Sequence, residues 1–181
     1  MTHDGDSSAV PPFPSPSAID VVAAPRLHVV LDRPAIAGNV GACVRLCAAV
    51  GAALHVCGSA LAPQDREMWR AGLDYWANAR VHFHDSLDAC LTLLGREPWI
   101  VEVGGRHAPW QIPLAAGDVV VFGPEKGSVD DALRARLPDR IVTLPQETAV
   151  RSLNLSQVVA VVAFEAVRQQ TTPLASVDGM G

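Results

Sequence analysis

The sequence predicts one α/β domain, a mostly parallel sheet with helices on both faces. Three observations point there. Short apolar runs dense in Val, Leu and Ile alternate with stretches whose apolar residues recur every three or four positions. Of the 181 residues 49% are hydrophobic, which is ample for a core and unlike a disordered chain. The length suits one such core and is too short for two with a linker. Only 5% of residues are aromatic, so Ala, Val and Leu must fill the interior.

Residues 1–25 read as a disordered tail, because Pro11, Pro12, Pro14 and Pro16 among several serines break any period. The folded domain is expected over residues 26–170, with 171–181 as a flexible C-terminal tail. Residues 27–31 form the first buried strand. Asn39 then caps or opens a helix to about Ala49, with Val40, Cys43, Val44, Cys47 and Val50 on one stripe and Gly51 ending it. Strands follow at 54–57 and 80–83, and 85–94 reads as a helix with Leu87, Leu91 and Leu94 inward. Residues 99–103 and 119–122 are buried strands with turn residues after each. Ser128 with Asp131 three residues on resembles a capping box for a helix to about Leu137. The last strand is expected at 141–144. In 155–170 the valines favour a strand by propensity, but length and the polar ending Arg168-Gln169-Gln170 favour a helix, and length decides. That helix is apolar all round and needs cover on more than one side, from its own sheet and from a second subunit.

Net charge is −5, from 14 Lys and Arg against 19 Asp and Glu. Several of the acids lie in the terminal segments, which leaves the middle near neutral. All the basic residues except Lys126 are arginines. Arginine suits phosphate recognition and base stacking. A codon bias toward Arg would give the same composition, so an RNA partner stays open at this point. No run of 18 apolar residues and no export signal is found, so a soluble cytoplasmic protein is expected. Cys43, Cys47, Cys57 and Cys90 contain no Cys-x-x-Cys pair and read as reduced core thiols. His82 and His84 form a His-x-His that Asp85, His55 or His107 could complete as a ligand set. Nothing fixes that third position, so packed or surface histidines are the expectation and no metal is predicted.

Ligands of such sheets gather at the loops beyond the carboxyl ends of the strands. Three such segments stand out. In the first, Asn39 through Arg45, a helix start with an arginine nearby suits a phosphate. The second, Phe122-Gly123-Pro124-Glu125-Lys126-Gly127, runs from a strand into a Gly/Pro loop whose glycine spacing fits neither a Walker loop nor a dinucleotide fingerprint. The third, Arg151-Ser152-Leu153-Asn154-Leu155-Ser156, gathers polar groups at the start of an apolar helix. Singly, each is also compatible with an ordinary capped loop.

Together and in this order, the segments resemble the SPOUT superfamily of RNA methyltransferases. Its 2′-O-methylating branch carries Asn-x-Gly-x-x-x-Arg, Phe-Gly-Pro-Glu-x-x-Gly and Ser-Leu-Asn-Leu-Ser, and all three stand here. The resemblance is nearest to the minimal, single-domain enzymes that methylate the wobble nucleotide of tRNA. Residues 70–76, Arg-Ala-Gly-Leu-Asp-Tyr-Trp, look like a segment of that group. The chain departs from the pattern in a few places. Ala37-Gly38 precedes Asn39 where proline is common, Ser128-Val129 follows Gly127 where Leu-Pro is usual, Gln157 replaces Asn, and Phe164 replaces Tyr.

The resemblance implies a C-terminal deep trefoil knot, an exception to the rule against threaded chains. It also implies a homodimer through the final helix. The donor would be S-adenosylmethionine, lined by Val103, Gly123, Leu144, Ser152 and Leu153. The acceptor would be a ribose 2′-hydroxyl of tRNA, at cytidine or uridine 34. Arg45 takes the central catalytic role, and because arginine is not deprotonated in proteins, placing phosphate or alkoxide is easier to defend than acting as a base. Asn39, Glu125 and Asn154 complete the expected catalytic set and orient the site. No metal and no membrane are expected. The alternatives are 2′-O-methylation of another tRNA or rRNA site, or a non-catalytic donor- or RNA-binding module.

Overall fold

The computed structural model describes residues 24–147 and 153–171. Most of both expected tails, and Ser152 with its neighbour Arg151, lie outside the described residues. Six strands, β1 (Leu27–Asp32), β2 (Ala53–Cys57), β3 (Arg80–His84), β4 (Trp99–Val101), β5 (Asp118–Phe122) and β6 (Ile141–Val142), form one sheet in the order β3-β2-β1-β5-β4-β6. Every pairing is parallel. β1, the first of the described strands, is therefore central, between β2 and β5.

Both faces are covered, and this is why the strands read as continuous apolar runs. Leu27, Val29 and Leu31 point into one core with α1 (Ala37–Val50), α2 (Arg66–Gly72) and α5 (Leu155–Thr171). Val30, Cys57, Ile100, Val119 and Val121 point into the other, with α3 (Leu87–Leu94) and α4 (Asp131–Arg136). The α1 stripe is buried as expected, and Gly51 ends the helix at φ 73°, a left-handed turn that favours glycine. All four cysteines are free and buried. Among the described residues no helix is long and apolar enough to cross a membrane.

The helix starts differ from the sequence reading. Asn39 does not cap α1, which begins two residues earlier after Ile36 with no side-chain cap. The Asn39 side chain is drawn to partners elsewhere, described below. Ser128 likewise caps nothing. Asp130 caps α4, its carboxylate accepting from the N–H groups of Ala132 (2.9 Å) and Leu133 (3.1 Å).

Two strands are shorter than read. β4 stops at Val101 and β6 at Val142, and Val103 is 76% exposed. The two chains stay pressed together beyond them: the Glu102 N–H donates to the Val142 carbonyl at 2.9 Å. A Cβ on Gly105 would lie 2.5 Å from the Ile141 carbonyl oxygen.

α2 and the 3₁₀ turn Leu73–Ala77 are absent from the sequence reading as elements. α2 is capped by Asp65, which accepts from the Met68 N–H at 2.9 Å. It meets α1 at Gly41, where a Cβ would sit 2.5 Å from both the Ala71 Cβ and the Met68 carbonyl. The glycine of the first motif thus serves helix–helix contact.

α5 buries Leu155, Val159, Val162, Ala163 and Ala166 and leaves Val161 (42%) and Phe164 (56%) open. Its polar end is tied down. Gln169 bonds the backbone of Ile112 and Leu114, and Gln170 bonds the carbonyls of Arg26 and Leu114.

Candidate active site

The ends of β4, β5 and β6 and the start of α5 enclose a cavity of about 440 Å³. That is within the size range of small-molecule sites. Val103, Gly123, Leu144 and Leu153, four of the residues expected to line a donor, line this cavity, and Glu125 and Asn154 stand beside them. A larger depression of about 790 Å³ opens at the ends of β1 and β2, but it is lined by Asp32, Asp85, Asp88, Asp130 and Asp131. Its arginine, Arg33, is paired with Asp32 at 2.9 Å. It holds no motif residue and repels an anionic ligand.

A chain of hydrogen bonds joins the three motifs. The Asn154 carboxamide nitrogen donates to Asn39 Oδ1 at 2.8 Å, and Asn39 Nδ2 donates to Glu125 Oε1 at 3.0 Å. Glu125 also accepts from the N–H groups of Ala35 (2.9 Å) and Ile36 (3.2 Å), just ahead of α1. A carboxylate from the second motif therefore does at the mouth of α1 what a cap would do, and Asn39 is free to bridge. Asn154 Oδ1 accepts from the backbone N–H (2.9 Å) and hydroxyl (2.7 Å) of Ser156, fixing the first turn of α5.

Burial alone would raise the Glu125 pKa. The hydrogen bonds from Ala35, Asn39, its own backbone and Ile36 outweigh burial and hold the carboxyl below its ordinary value. Its oxygens are already engaged, so Glu125 is built to anchor loops, not to take up a proton.

Gly123 leaves little room. A Cβ there would lie 3.2 Å from Val129 Cγ2 and 3.4 Å from the Val129 nitrogen. Glu102, which the sequence reading overlooked, also lines the cavity. Its Oε1 accepts from Arg134 at 3.1 Å, while the buried Oε2 has no hydrogen-bond partner among the described residues. A buried carboxylate oxygen without a partner is a ready acceptor for a ligand's amine or hydroxyl. Its one signal in the sequence is an acid inside the apolar run Trp99-Ile-Val-Glu102-Val103.

Arg45 is not with the others. It is exposed on α1, its guanidinium 5.7 Å from the centroid of the Tyr75 ring, and it does not line the cavity. The structure thus brings together Asn39, Glu125 and Asn154 and four of the five expected donor residues, and sets Arg45 apart. Ser152 lies outside the described residues.

The chain matches the model of the SpoU rRNA Methylase family over residues 26–164. It is 38% identical over 146 residues to a protein of Methylovorus glucosotrophus (strain SIP3-4) named tRNA (cytidine(34)-2'-O)-methyltransferase, covering 78% of this chain and 94% of that one. Its fold is similar to a solved structure described as "Structural insights into the 2-OH methylation of C/U34 on tRNA". There the TM-score is 0.73 and the identity 35%, over 81% of this chain and 91% of that one. It is also similar to the SpoU Methyltransferase AviRb from Streptomyces viridochromogenes in complex with the cofactor AdoMet. That match has a TM-score of 0.72 and 25% identity, over 82% of this chain and 62% of that one.

Proposed function

The chain belongs to the SpoU rRNA Methylase family, and from that premise we propose that it methylates the ribose 2′-hydroxyl of tRNA nucleotide 34, a cytidine or uridine, with S-adenosylmethionine as donor. The observation that carries the reading is the Asn154–Asn39–Glu125 chain, which closes all three motifs around one cavity.

The cavity fits the donor. Val101, Phe122, Leu144 and Val158 offer apolar cover, Gly123 and Leu153 offer backbone, and Glu102 Oε2 offers an unengaged acceptor. The donor supplies a methyl group on a sulfonium, whose positive charge is lost as the methyl leaves. The protein's part is to hold that methyl in line with the attacking oxygen and to stabilise the oxygen as its proton goes. Asn39, Glu125 and Asn154 act in this reading as positioning residues, because their polar atoms are engaged with one another and with backbone.

Arg45 is assigned to the substrate ribose or its phosphate, where a planar, permanently charged fork is effective. Within one chain it stands away from the cavity, so the reading has a second copy present it. The open Val161 and Phe164 on α5 support such a homodimer, since a lone chain leaves this apolar surface in water. The proposal includes a deep trefoil knot at the C-terminal end of the domain. It includes a working domain of residues 26–170 flanked by tails, and residence in the cytoplasm with tRNA.

The test is direct. Purified protein is incubated with S-adenosylmethionine and tRNA transcripts bearing C34 or U34, and the digested nucleosides are read by mass spectrometry. A 2′-O-methylated nucleotide at position 34 is expected. A methyl group on a base, or at another position, overturns the reading.

A further inference from the structure

On the α3 face of the sheet, at the edge away from β4 and β6, four histidines and a cysteine meet. His28 comes from β1, His55 from β2, His82 and His84 from β3, and Cys90 from α3. The parallel register puts His55 directly beside His82, and Cys57 beside His84. His55 lies at the centre, with ring centroids 5.1 Å from His28, 5.0 Å from His82 and 5.2 Å from His84. His55 is 1% exposed and Cys90 fully buried. The proposed methyl-transfer mechanism uses none of these groups.

We propose that His55, His84 and Cys90 form a binding site for a borderline divalent transition metal, of which zinc is the type. One ligand atom from each of the three lies within 4.8 Å of the other two. Tetrahedral zinc with Zn–N of about 2.0–2.1 Å and Zn–S of about 2.3 Å needs its ligand atoms roughly 3.3–3.6 Å apart. His55 Nδ1 and His84 Nε2 are 2.9 Å apart, so a small spreading of the side chains admits the ion.

The outer partner is also in place. His55 Nε2 lies 2.9 Å from His28 Nδ1. With Nε2 protonated and donating to His28, the Nδ1 lone pair of His55 is turned toward His84 and Cys90. A ligating histidine normally has its other ring nitrogen held in this way. Binding of the dication by the thiol form releases the one thiol proton to solvent, each imidazole ligating through a ring-nitrogen lone pair.

The ion would staple α3 to the two outer strands. β3 is the sheet edge and His84 is half-buried, so in this proposal water reaches the ion beside His84 as the fourth ligand. With three protein ligands and a water, the site is distinct from the closed four-ligand pattern of purely structural zinc. It is also remote from the donor cavity, at the other edge of the sheet.

Full-length protein is stripped with a chelator and titrated with Co²⁺ alone and Zn²⁺ alone. We expect one ion per chain, a thiolate-to-cobalt charge-transfer band in the near ultraviolet, and a higher melting temperature with Zn²⁺. Cys90→Ser should abolish the band. His84→Asn, at a half-buried edge position, should weaken Zn²⁺ binding at least about tenfold. Both variants should keep the circular dichroism and S-adenosylmethionine affinity of the parent, which shows that they fold. Stoichiometric binding without a thiolate band, binding untouched by either substitution, or no binding at micromolar Zn²⁺ each overturns the site.

Discussion

Asn154 donates a 2.8 Å hydrogen bond to the side-chain oxygen of Asn39 across 115 residues of sequence. Through it the start of the last helix is referenced to the first helix, and Glu125 locks the second motif to the same point. Asn39→Ala or Asn154→Ala should each cost about 1–3 kcal/mol of stability, because each strands a polar partner. A double-mutant cycle by urea unfolding should give a coupling of about 0.5–3 kcal/mol between them. A coupling of zero would mean the bond positions nothing.

The lowered pKa of Glu125 fixes a pH dependence. Its folded-state pKa lies below the unfolded value, so its contribution is fully present above the ordinary Glu range and is lost as pH falls through the folded value. Stability should therefore decline below about pH 4.5, where an unfolded Glu begins to bind its proton. Glu125→Gln should be less stable at pH 7 and show a shallower decline, measured by urea midpoints from pH 7 to pH 3. Parallel curves would place the acid sensitivity on other groups.

Gly123→Val should abolish S-adenosylmethionine binding, read by calorimetry. The added side chain must push against Val129 or enter the cavity, and the nearest contact is already 3.2 Å at the Cβ. Unchanged affinity would put the donor elsewhere.

Arg45→Ala should lower methyl transfer at least about a hundredfold, the scale of losing a principal charge-stabilising donor. Donor affinity should barely move, since Arg45 does not line the cavity. Arg45→Lys should rescue poorly. Mixing the Arg45→Ala and Gly123→Val chains should restore part of the rate, because one copy then supplies the cavity and the other the arginine. No recovery from mixed, exchanged chains would confine each site to a single copy.

Val161→Asp should split the assembly and leave the chain folded. Val161 is 42% exposed in the single chain, so a carboxylate there is solvated when alone and buried unpaired only in a dimer. Sedimentation reads the first effect and circular dichroism the second.

Much of this architecture was legible along the chain. Val29–Leu31 and Val119–Phe122 are apolar on both sides because both faces of the sheet are covered, and the length of α5 overrode its valines. Asn39, Glu125 and Asn154, one residue from each motif, meet in the fold, but the reason for Asn39 was hidden. A capping role is a local property, whereas its true partners, Glu125 and Asn154, are set by the tertiary fold. Arg45 shared a motif with Asn39 and still points elsewhere, because six positions along a helix turn a side chain to a different face. His28 carried no signal, and His55 was one of three candidate partners for His82 and His84 among which nothing along the chain could choose, since only the register of three parallel strands sets it beside His84.

The central place of β1 bears on how the chain is made. On the ribosome β1 emerges first and finds β2 soon afterwards. Its other edge then stays unpaired until β5, residues 118–122, has been synthesised. At elongation speeds of about 5–20 residues per second, that interval lasts several seconds. Throughout it the nascent chain exposes an apolar strand edge open to pairing with other chains. Yield in cells should therefore respond more to chaperone supply and translation rate than the stability of the finished sheet suggests.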